Sequence, residues 1–162
     1  MFPIRISRRQ SAEMLKTTSD GNVTTSTLTL EPTPADDGTS VTCRAENPST
    51  STVLEQSQPL IVHYKPNAVA RLGLSLDPHN IKEGDDVYFE CSIHANPRAY
   101  KVTWQHKGLP LQHNITANVI VSNQSLVLQQ VSRAHAGRYT CSASNIEGDG
   151  VSDPVSLDIK CE

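Results

Sequence analysis

Four cysteines, six histidines and seventeen carboxylates are the residues able to carry chemistry in this 162-residue chain. Cys91 and Cys141 stand 50 positions apart, each in a run whose apolar residues alternate, so both thiols face inward and suit a buried crosslink rather than nucleophilic work. The histidines, at positions 63, 79, 94, 106, 113 and 135, share no metal-ligand spacing and fall in different strands and turns. Asp77, Glu83, Asp85 and Asp86 form an acidic cluster with calcium-binding atoms, but their spacing matches no dedicated calcium loop, and a solvated turn is the expectation. The chain has no Gly-rich phosphate loop, no Gly-x-Ser-x-Gly elbow and no Cys/His dyad. This reading expects no catalytic residue, no metal, no cofactor and no enzyme.

The elements that must hold those two cysteines are strands. In DVYFECSI, Val87, Phe89, Cys91 and Ile93 share one face, and the same rhythm returns at Val102 and Trp104, at Leu126 and Leu128, at Tyr139, Cys141 and Ala143, and at Val155, Leu157 and Ile159. Turn signals separate the runs: Glu83-Gly84, Asn96-Pro97, Lys107-Gly108, Ala136-Gly137 and Glu147-Gly148. No segment carries a helical stripe over three turns, so the fold class is all-β, an antiparallel sandwich. Cys91, the single tryptophan Trp104 on the next strand, and Cys141 match an immunoglobulin-like domain, in which a disulfide joins two sheets and an indole packs on it. Tyr139, two residues before Cys141, fits the tyrosine corner of that fold, although His135 stands where such domains commonly carry aspartate. The short stretch between Trp104 and Leu126 leaves little room for a variable-type hairpin and favours an intermediate or constant-like (I-set/C2-like) set.

An internal repeat organises the first third. CRAEN at 43–47 and CSASN at 141–145 are related by one offset, which also places Leu28 on Leu126, Leu30 on Leu128, Ile61 on Ile159 and Asp37 on His135. Residues 1–66 therefore read as the C-terminal part of a second immunoglobulin-like domain, with TSTLTL as strand E, SVTCRAEN as F and PLIVHY as G, and residues 67–162 as a complete one. Nothing before residue 20 supplies a cysteine or tryptophan for the first unit, so Cys43 is expected to lack a partner and residues 1–66 to be poorly stable alone. A Cys43–Cys161 bridge is not expected on geometry. Lys65-Pro66-Asn67 reads as a joint with almost no slack.

A formal charge of −3 and a pI near 6.0 give no basic surface for nucleic acid. The N-terminus holds no export signal and no run approaches the length of a membrane span, which suggests a truncated sequence. A disulfide needs an oxidising compartment, and three glycosylation acceptor sequons begin at Asn22, Asn114 and Asn123, the last placed outward on a strand. Together they favour the extracellular side of the plasma membrane over an intracellular structural array of such domains.

NVTTSTLTLEPTPADDGTSVTCRAENP with IVHYKP, and then EGDDVYFEC, NPRAYKVTW and NIEGDGVSDPV, resemble consecutive internal domains of the Sidestep family of cell-surface proteins across about residues 20–160. Nephrin-like adhesion proteins share parts of the pattern. The resemblance implies a single-pass, membrane-anchored parent acting in axon guidance and synaptic partner recognition. Its partners would be other immunoglobulin-superfamily surface proteins, among them Beaten path-like receptors. It carries over no interface residue, and an internal position implies a semi-rigid stalk.

Overall fold

The computed structural model describes residues 13–17, 24–47 and 49–160. The chain divides into two compact units, Met1–Val62 and His63–Glu162. The sequon at Asn22 and the cysteine at position 161 lie outside the described residues.

In the first unit, β1 (Glu13–Thr17) pairs antiparallel with β2 (Thr24–Leu28), and β3 (Ser40–Asn47) pairs antiparallel with β4 (Thr52–Pro59). Two expectations are corrected here. The partner of β3 is Thr52–Pro59 and not PLIVHY; residues 60–63 lie outside any strand. The boundary falls after Val62 and not after Pro66, because Lys65, Pro66 and Asn67 already belong to the first strand of the second unit. Among residues 25–47 and 49–62 only Val62 is buried, while Leu54 and Ile61 are exposed.

The second unit contains two layers. One sheet runs β5 (Tyr64–Leu72), β6 (Val87–Asn96), β10 (Ser125–Leu128), β9 (Val119–Val121). The other runs β12 (Gly148–Val151), β11 (Gly137–Asn145), β7 (Lys101–His106), β8 (Leu109–Leu111), with β13 (Val155–Leu157) also pairing β11. Alternation in the sequence becomes alternation in burial: Val87, Phe89 and Cys91 on β6, and Tyr139, Cys141 and Ala143 on β11, are buried, whereas Glu90 and Ser92 are exposed. Lys107 and Gly108, at φ 51° and 81°, link β7 to β8 with the two positive angles that a type I′ hairpin turn requires. Pro66 lies on the edge strand at a register shift between Tyr64 and Asn67, where a missing N–H breaks no ladder.

β12 packs beside β5 so closely that Gly150 admits no side chain: a Cβ there would run into the Pro66 carbonyl oxygen, a backbone atom with nowhere to go. Gly150→Ala should therefore cost about 2 kcal/mol of unfolding free energy. Urea denaturation reads this as a lower midpoint at unchanged slope.

Candidate functional site

Cys91 on one sheet and Cys141 on the other form a disulfide with Cα atoms 6.2 Å apart. Trp104 lies directly across from Cys141 on the neighbouring strand β7, fully buried, with its indole N–H unpaired. Phe89 meets Trp104 at 6.1 Å between ring centroids and stacks on Tyr139 at 4.6 Å. The Tyr139 hydroxyl donates to the His135 carbonyl at 2.6 Å, the bond of a tyrosine corner. Burial pushes that phenol far above its ordinary range, so it stays a neutral donor. Cys91, Cys141, Trp104 and Tyr139 thus meet in one core.

His135 fills the structural place of the usual aspartate by a different atom. It ends a 3-10 turn, Arg133–His135, and its Nδ1 accepts the Ser132 N–H at 2.9 Å. In the first unit the equivalent turn is Pro34–Asp36, and the Asp36 carboxylate accepts the Thr33 N–H at 2.8 Å. Asp36, and not Asp37, is therefore the counterpart of His135. The first copy holds one more residue between its glycine, Gly38, and its cysteine, which displaces the repeat by one through the turn.

Sequence reasoning missed His106. It follows Trp104 by two positions on β7 and pairs with Tyr139 in register, and its ring stacks on Tyr139 at 4.4 Å and 7° while Nε2 donates to the Ala136 carbonyl at 3.2 Å. Burial pulls the imidazole below the usual histidine range; the Ala136 hydrogen bond opposes this, and Lys107 and His135 reinforce it. The unfolded chain therefore takes up this proton at a higher pH than the folded one. The contribution is fully present above about pH 6.5 and is lost as pH falls through that value toward the lower folded pKa. The melting temperature should drop between about pH 7.5 and about pH 5.5, and a His106→Phe variant, which keeps the stacking, should drop less.

The four carboxylates of the acidic cluster are dispersed among separate backbone partners. Asp77 accepts the His79 N–H, Glu83 the Arg133 N–H, Asp85 the Lys82 N–H and Asp86 the Gln130 N–H. Among the described residues no group of histidine, cysteine or carboxylate converges on a metal-sized space. Asn114 caps the short turn Ile115–Ala117, its side-chain oxygen accepting the Ala117 N–H at 3.1 Å. Asn123 is exposed but lies in the turn between β9 and β10, not on a strand as its parity suggested. Cys43 is a free, exposed thiol on β3. No described helix is long and apolar enough to cross a membrane.

Residues 72–145 match the family described as Immunoglobulin domain. Human Cell adhesion molecule 1 is 30% identical over 135 residues, 83% of this chain and 29% of the relative. Human Kin of IRRE-like protein 1 is 29% identical over 151 residues, 92% of this chain and 16% of the relative. The chain thus spans less than a third of the length of these relatives. The crystal structure of the mouse nectin-like molecule 4 full ectodomain superposes with a TM-score of 0.70 at 20% identity, covering 99% of this chain and 53% of that one, a likeness of fold.

Proposed function

We propose that this chain, an immunoglobulin-domain protein related to cell adhesion molecules, is part of a cell-surface recognition ectodomain that works by protein–protein binding and not by catalysis. The observation that carries the reading is the inter-sheet disulfide under a fully buried tryptophan, a device that persists only in an oxidising compartment, in a chain related to cell adhesion molecules. Its partners are other immunoglobulin-superfamily surface proteins. The phrases EGDDVYFEC, NPRAYKVTW and NIEGDGVSDPV support the finer reading of a Sidestep-like protein in axon guidance or synaptic partner recognition, met by Beaten path-like receptors.

Residues 1–62 are read as the C-terminal part of a second such domain, on the strength of the CRAEN and CSASN repeat and the β3–β4 hairpin. Only residues 60–63 connect β4 to β5, and so short a connection suits a spacer that carries a binding domain elsewhere in the parent protein. Asn22, Asn114 and Asn123 are its acceptor sites for glycan. A binding screen of the secreted parent ectodomain against Beaten path-like and nephrin-like ectodomains tests the finer reading. Saturable binding to the former supports it, and binding confined to the latter reassigns the chain to nephrin-like adhesion.

A further inference from the structure

In the second unit, residues of β6 and β7, of the loop that joins them and of the turn between β9 and β10 line a groove of about 390 Å³. Its lining includes Ile93 and Val102, apolar side chains only half-buried although they pack against the core around the disulfide. Beside them stand Arg98 and Tyr100, the latter 73% exposed, and Asn123. One exposed aromatic is ordinary on a protein surface. Here, however, the aromatic shares a largely polar groove with the half-buried side chains of Ile93 and Val102 and with the asparagine of an Asn-x-Ser sequon.

We propose that Asn123 carries an N-linked glycan whose first N-acetylglucosamine seats in this groove against Tyr100. A pyranose ring presents a face of C–H groups that suits an aromatic ring and half-buried aliphatics, and its hydroxyl and acetamido oxygens are acceptors for the guanidinium of Arg98. The anchor is fixed where it must be. The Gln124 carbonyl accepts the Cys91 N–H at 2.7 Å and the Ser125 carbonyl accepts the Ser122 N–H at 2.8 Å, so the turn bearing Asn123 is tied to β6 beside the groove. Asn114 does not line this groove, and a glycan there gains no such contact. The inference rests on the cell-surface reading, since only a chain that enters the secretory route is glycosylated this way.

The test uses the full 162-residue chain, exported behind a leader from cells that keep glycans high-mannose. Glycopeptide mass spectrometry should find Asn123 occupied. Trimming to the single core sugar should leave the melting temperature unchanged, whereas Asn123→Gln should lower it by about 4 °C, the shift expected for one aromatic contact in a domain of this size. Tyr100→Ala should lower it in the glycosylated parent and leave the Asn123→Gln background untouched, the signature of a coupled pair. Refolded without glycan, parent and Asn123→Gln proteins should melt together. An empty Asn123 in secreted, disulfide-bonded protein overturns the inference, as does an occupied site with no shift, or a shift that persists without glycan; the cell-surface reading survives all three. That reading fails separately if the exported chain emerges with Cys91 and Cys141 as free thiols.

Discussion

Replacing Cys91 and Cys141 together by alanine should remove about 4 kcal/mol from the stability of the second unit, the chain entropy that a crosslink across 50 residues withholds from the unfolded state. Against a total of about 5–15 kcal/mol for a domain, that is a large share. The melting temperature should fall by about 20 °C, and reduction of the unaltered protein should reproduce most of the loss. Alanine at both positions matters: a single substitution leaves a lone thiol in the core, free to find Cys43 on another molecule. If the double variant melts within a few degrees of the parent, the sheets are held by packing alone and the crosslink is incidental.

Trp104→Ala should cost about 3–5 kcal/mol, because the indole is the largest fully buried side chain and its removal leaves a cavity between the disulfide and Phe89. Two terms oppose each other at this site. The ring contributes the burial of its whole apolar surface, while its unpaired N–H sits in the core at a cost of roughly 1–3 kcal/mol. Trp104→Phe removes the second term along with part of the first, so it should cost well under half as much as Trp104→Ala. Circular dichroism during urea unfolding compares the two without relying on the chain's single tryptophan as the probe. Equal losses for both variants would mean that the aromatic stack through Phe89 and Tyr139 does not depend on the volume of its end member.

Much of the second unit was legible in the sequence because each of its long strands buries one face, and burial writes itself as alternation. Phe89 and Cys91 on β6, and Tyr139 and Cys141 on β11, could be placed facing inward without a structure. The first unit was harder for the same physical reason. β4, Thr52–Pro59, is exposed along its whole length, so its strand character comes from pairing with β3 and leaves no apolar rhythm to read. The apolar run PLIVHY drew the assignment instead. Asn123 was misplaced by extending the parity of β10 backward into a turn that closes at Ser122. His106 was within reach, since it shares the inward parity of Val102 and Trp104, but a histidine in that register reads as solvated until its stacking partner Tyr139 is seen. The groove beside Tyr100 was not legible at all, because its lining brings residues between 93 and 102 together with Asn123 and Gln124 rather than following any one run of residues.

A peptide map of the secreted, unreduced chain tests the account most directly. It should yield one crosslinked species joining the Cys91 and Cys141 peptides, with Cys43 recovered apart from both, and the crosslink should disappear on reduction. Recovery of Cys91 and Cys141 as unlinked thiols, or of either joined to Cys43, would contradict the two-sheet pin and with it the cell-surface role.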